Sequence, residues 1–153
     1  MRFEPQLTAH RGKLLSGSEA GSPVFAGSFL RKREIVLDAA LVDDASERAR
    51  ILVHELFHFV WLRLGNPLRK SWSSVLEAEK AGRARGELGW SSEWRKCEQV
   101  AWRDYICESF CDTAAWCYSG LEQHPEFTLA SRWRKKRQAW FEASIAARAA
   151  VRI

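Results

Sequence analysis

Ile51-Leu52-Val53-His54-Glu55-Leu56-Phe57-His58-Phe59-Val60-Trp61-Leu62 decides the fold, and His54, Glu55 and His58 are its only polar residues. A helix that is apolar nearly all round belongs inside a protein. Burying three polar groups without partners costs about 1–3 kcal/mol each, so this stretch needs something in the interior to satisfy them. His54 and His58 are one turn apart and share a face. One metal ion accepts both imidazoles there, and Glu55, beside the first ligand, reaches a water on that ion. With only four histidines in 153 residues, an accidental H-E-x-x-H arises in about one such chain per hundred.

Outward from that stretch, Asp43-Asp44-Ala45-Ser46-Glu47 reads as the helix start, its acidic residues suiting the positive end of the dipole. The helix runs to Leu64 and stops at Gly65-Asn66-Pro67. A second helix is expected over Leu68–Ala84, a third over Ser92–Ser119 and a fourth from Pro125 to about Arg148. Upstream, Val24–Leu30 and Glu34–Leu41 around Arg31-Lys32-Arg33 predict a β-hairpin. Residues 1–23 read as an irregular arm or lid with at most one short strand. The expected architecture is one α+β domain over 1–153, a small N-terminal β-hairpin or sheet packed on about four helices.

The third helix carries a second signal. Between Tyr105 and Gly120 its only charged residues are Glu108 and Asp112, again four apart on one face. Two buried like charges at that spacing repel each other unless a cation lies nearby. Either this stripe faces solvent, or Glu108 binds the metal and Asp112 accepts the N–H of a ligand histidine.

His54-Glu55-Leu56-Phe57-His58 followed by Glu108-Ser109-Phe110-Cys111-Asp112 resembles the gluzincin clan of zinc metallopeptidases, whose two helices supply H-E-x-x-H and E-x-x-x-D. The resemblance covers roughly Glu34 to Ser119 and is most like the compact minigluzincins. It implies a zincin-like fold, Zn2+ held by His54, His58 and Glu108, Glu55 as general base and acid, and Asp112 as the residue that orients a ligand histidine. A peptide or protein substrate is implied too. Tyr105, Tyr118, His124 and Arg103 are each candidates for the donor that stabilises the oxyanion, and Tyr105, one turn before Glu108, is favoured. Strand Glu34–Leu41 is a candidate edge for an extended peptide. The gap of 50 residues from His58 to Glu108 (108 − 58) is longer than in several small relatives of the clan, and Leu68–Trp90 fills it.

Composition agrees with a folded domain: 46% hydrophobic, 12% aromatic, and no apolar run long enough to span a membrane. No secretory h-region is visible, so a cytoplasmic location is expected. Cys97, Cys107, Cys111 and Cys117 crowd into one stretch, which fits small core residues better than a disulfide framework. The net charge is +5, concentrated in Arg132-Trp133-Arg134-Lys135-Lys136-Arg137. On a helix Trp133 continues an apolar stripe with Ala130 and Trp140, so the run reads as a solvated basic face rather than a nucleic-acid surface. Two rival functions remain: a zinc hydrolase of another class, or a regulatory or binding module on the same scaffold using the basic helix.

Overall fold

The computed structural model describes residues 1–97 and 101–147. In chain order it contains β1 (Arg2–Glu4), β2 (Leu7–His10), β3 (Lys13–Ser16), β4 (Ser22–Pro23), β5 (Ala26–Phe29) and β6 (Glu34–Asp38). A 3-10 turn (Ala39–Val42) leads to α1 (Ala45–Arg63), α2 (Asn66–Ala81), α3 (Trp90–Cys97), α4 (Trp102–Tyr118) and α5 (Ser131–Phe141), which ends in a π turn (Glu142–Ala146). The architecture is α+β. No helix of the described residues is long and apolar enough to cross a membrane.

The expected hairpin is present as β5 and β6, with Phe29 opposite Glu34 and Ala26 opposite Leu37. After it, Asp38 ends the strand by accepting the Ala40 N–H at 2.8 Å, so Ala39-Ala40-Leu41 turn instead of extending the sheet. The irregular arm expected over 1–23 is instead strand-bearing. β1 pairs in parallel with β6, making a sheet of order β1-β6-β5, and β2 pairs with β3 and β4 in a second sheet. These strands are two to four residues long, too short for alternation to carry a signal; β2 and β3 join across Arg11-Gly12, while β1 finds its partner only in distant β6. One consequence is that β6 is a central strand, with β1 and β5 at the edges.

Asp44 caps α1, its carboxylate accepting the Glu47 N–H at 2.9 Å. The helix ends at Leu64, which is extended (ψ 127°), and Gly65 with Pro67 in the first turn begins α2 at once. Gly65-Asn66-Pro67 therefore stops α1 as expected and also starts α2, slightly before Leu68. Pro67 is tolerated there because the first turn's N–H groups have no intrahelical partner. α1 lies against α4, and Val60, Leu64, Trp72, Leu76, Phe110, Ala114 and Phe141 fill the space between α1, α2, α4 and α5. A second cluster, Ile35, Leu37, Leu41 and Phe59, seats the sheet on the other side of α1.

The single helix expected over Ser92–Ser119 is two helices. The chain leaves helical geometry at Ala101 (ψ 129°), the residue before α4, and residues 98–100 lie outside those described. One straight helix could not pack on itself; the break lets α3 fold back against α4. The fourth helix begins at Ser131 rather than Pro125, because Thr128 and Leu129 each donate a backbone bond of 2.9 Å to the Glu87 carbonyl. Its expected end near Arg148 falls outside the described residues.

The basic run is only partly a solvated face. Trp133 is buried as expected, flanked by Arg132 and Lys136 over its ring, but Arg137 is fully buried and Arg134 bonds the carbonyls of Phe127 and Leu129.

Candidate metal centre

The packing of α1 on α4 brings the two sequence signals together. His54 Nε2 lies 3.3 Å from Glu108 Oε2, and His58 Nε2 lies 3.9 Å from the same oxygen. The two imidazole rings are 5.0 Å apart and nearly perpendicular. One donor atom from each of His54, His58 and Glu108 falls within 4.8 Å of the others, close enough for a single metal ion. The solvated-stripe alternative for Glu108 and Asp112 does not hold: Asp112 is 2% exposed, and both side chains point at the histidines.

Asp112 takes the orienting position. Its Oδ1 lies 2.7 Å from His54 Nδ1, and its Oδ2 accepts the Ser92 backbone N–H at 2.9 Å. When His54 gives up one proton to bind a metal, the Asp112 contact keeps the other on Nδ1 and leaves Nε2, which faces Glu108, as the ligand atom. Ser92 is in the first turn of α3, where N–H groups are free and the dipole favours an anion. Glu108 divides its oxygens in the same way: Oε2 faces the histidines, while Oε1 pairs with Arg95 of α3 at 3.2 Å. Arg95 and Ser92 had no spacing signal in the sequence, because they reach the site only through the fold-back of α3.

Glu55 is also buried, and the Ser28 hydroxyl of β5 donates to its carboxylate. Tyr105, by contrast, is not at this site. Its hydroxyl donates to Glu87 Oε1 at 2.6 Å in the interior, where burial raises its pKa and the Glu87 charge raises it further. Tyr105, in the first turn of α4, lies on the side that meets α2 and the loop before α3, so being one turn before Glu108 does not make it face the same way. The other named donors are elsewhere too: Tyr118 stacks on Phe57, His124 pairs with Glu47 at 3.2 Å, and Arg103 is exposed beside Asp104.

A cleft of about 720 Å³ opens onto His54, Glu55, His58 and Glu108. Gly27 and Ser28 of β5 form one wall, and Trp90, Ser91, Trp94 and Arg95 of α3 form the other. Beside it, a smaller hollow of about 310 Å³ reaches His54 and Glu55 between Phe25, Ile51 and Trp90. Ser22, Pro23 and Val24 of the N-terminal segment help to line the cleft. The strand along it is the edge strand β5, not Glu34–Leu41.

The electrostatics are mutually reinforcing. Burial opposes charge on His54, but Asp112, then Glu108 and Glu55, hold its pKa well above the ordinary histidine value. Burial likewise opposes ionisation of Glu108 and Asp112, yet the histidines hold both below the usual carboxylate range. A raised histidine stabilises the fold fully below about pH 6.5 and loses that contribution as pH rises through its folded pKa. Lowered carboxylates stabilise above about pH 4 and lose it as pH falls through theirs. Kept in chelator, the chain should therefore show its highest thermal midpoint between about pH 4.5 and 6.5. A midpoint climbing steadily from pH 5 to pH 8 would contradict this pairing.

One backbone position guards Asp112. A Cβ on Gly89 would stand inside van der Waals contact of the Asp112 carboxylate. Gly89→Ala is expected to displace that carboxylate and weaken divalent-metal binding by about 10–100-fold, the usual cost of losing a ligand's hydrogen-bonded support. Isothermal titration of parent and variant measures it, and equal affinities would remove Asp112 from that role.

Compared with protein-family models, with curated proteins and with solved structures, the chain finds no match.

Proposed function

We propose that the chain is a zinc-dependent peptidase in which His54, His58 and Glu108 hold the metal and Glu55 is the general base. The observation that carries this is the convergence of those three donors on one point at the floor of an open cleft, with Glu55 beside them. Two imidazoles and a carboxylate suit zinc, and three protein ligands leave a position free, as a catalytic site requires. The His54–Glu108 and His58–Glu108 separations of 3.3 and 3.9 Å bracket the edge of about 3.4 Å expected of a tetrahedron with bonds near 2.0–2.1 Å.

Zinc, when bound, supplies Lewis acidity, which polarises a carbonyl and makes water acidic near neutral pH. Glu55 lines the cleft next to His54, and its carboxylate takes the proton of the attacking water and returns it to the leaving amine. Ser28 holds that carboxylate in one orientation, and Asp112 holds the His54 tautomer. Arg95 neutralises the outer oxygen of Glu108 and is the one cation lining the cleft among the described residues, so the oxyanion donor role sought in Tyr105 passes to it. The edge strand β5 offers unpaired backbone groups to an extended peptide. Trp90 and Phe25, both exposed at the hollow beside Glu55, suit an apolar side chain of that peptide.

The test is metal analysis together with peptide hydrolysis. About one zinc per chain is expected, released by chelator with loss of cleavage of an unstructured peptide library and restored by zinc. His54→Ala/His58→Ala should lose both. Retention of zinc in that double variant would falsify the assignment, and zinc with no peptide cleavage in the parent would point to a hydrolase of another class.

A further inference from the structure

His58 presents its two ring nitrogens to different neighbours. Nε2 faces Glu108, while Nδ1 faces two thiols, Cys111 Sγ at 3.4 Å and Cys107 Sγ at 3.7 Å. The second nitrogen of a ligand histidine ordinarily meets a carboxylate, a carbonyl or water; here both of its hydrogen-bond partners are sulfur. Cys107 and Cys111 are four apart on α4 and so share the face that meets α1. One donor atom from each of the three residues lies within 4.8 Å of the others. For bonds of about 2.0–2.1 Å to nitrogen and 2.3 Å to sulfur, a nitrogen and a sulfur on one metal stand roughly 3.5–3.8 Å apart between tetrahedral and trigonal angles. The Cys107 separation falls at that spacing and the Cys111 separation just below it.

The donor chemistry narrows the cation. Two thiolates and one imidazole are soft ligands, which select copper(I), zinc or cadmium over hard oxygen-seeking ions. Cys111 is buried, but Cys107 is only partly so, which leaves an approach from the Cys107 side.

We infer that His58 Nδ1, Cys107 Sγ and Cys111 Sγ form a second metal site for a soft, thiophilic cation, set back to back with the His54–His58–Glu108 centre across the His58 ring. Binding expels two thiol protons and the Nδ1 proton of His58 to solvent; no oxidant or reductant is involved. With both sites filled, the His58 ring bridges the two ions. The inference does not depend on the chain being a peptidase.

Cadmium(II), added in reducing buffer to the zinc-loaded full chain, provides the test. One further cation per chain is expected, with a thiolate-to-cadmium charge-transfer band in the ultraviolet and no release of zinc. Cys107→Ser and Cys111→Ser should each lose the band, while Cys97→Ser and Cys117→Ser keep it. Cys111→Ala, which preserves the apolar character of a buried position, provides the second check, with circular dichroism confirming that each variant folds. Absence of the band in the parent overturns the inference. So does its survival in both Cys107→Ser and Cys111→Ser, which would place the cation on other thiols. Stoichiometric zinc release as the band grows also overturns it, because one ion would then be exchanging at a single centre. A parent that takes cadmium with the band but holds no zinc at His54, His58 and Glu108 would instead count against the peptidase reading and leave this site standing.

Discussion

Glu55→Gln is expected to bind zinc as tightly as the parent and to lose peptide hydrolysis by about 10²–10⁴-fold, the range for removing a positioned general base. That loss corresponds to roughly 3–5 kcal/mol of transition-state stabilisation. The substitution keeps size and shape, and the amide oxygen can still accept the Ser28 hydroxyl that the carboxylate accepts. What it removes is basicity. The loss should therefore appear in kcat with little change in KM, as for an interaction made only in the transition state. Hydrolysis at the parent's rate would remove Glu55 as the base. Loss of zinc would show instead that Glu55 supports the ligands.

Arg137→Met is expected to destabilise the fold by about 3–5 kcal/mol, the cost of breaking a buried ion pair by removing one partner. Arg137 is 0% exposed and sits between two buried carboxylates. It donates to Glu79 at 2.9 and 2.7 Å and to Glu87 at 2.9 Å. Glu87 also receives the Tyr105 hydroxyl at 2.6 Å and Lys96 at 2.8 Å. Methionine fills much of the volume but leaves Glu79 without its cation, and that carboxylate must then ionise unpaired or take up a proton. In a chain of this length the thermal midpoint should drop by about 6–20 °C. Urea unfolding of Arg137→Met beside Arg137→Met/Glu79→Met measures the effect. The double variant should recover part of the loss, because a buried pair replaced by apolar groups is often near neutral. A single variant within about 1 kcal/mol of the parent would show that the network contributes little. The cluster also bears on the candidate metal centre, since it ties α2, α4 and α5 to the loop that leads into Gly89, Ser92 and Arg95.

The legible part of the site was the part written at helical spacing. His54, Glu55 and His58 stood out because they interrupt an apolar helix, and Glu108 and Asp112 because they interrupt another. In both cases the cost of burying charge made the exception informative. Arg137 did not stand out in this way: it lay in a basic run, where one more cation carries no surprise, yet it is the one that α5 buries. Tyr105 shows the converse failure, since closeness to Glu108 along the helix does not determine which neighbour a side chain meets.

By itself, then, the sequence located the first site helix and the hairpin before it, and singled out His54, Glu55, His58, Glu108 and Asp112 as candidates, because each rests on periodicity within one segment; the second site helix it ran together with α3. The tertiary structure alone decided that α3 folds back on α4 to bring Ser92 and Arg95 to the carboxylates, and that β1 makes β6 central and β5 the cleft's edge. It also decided that His58 meets two cysteines behind the first centre. Those are contacts between separate elements, and local spacing carries no record of which faces meet.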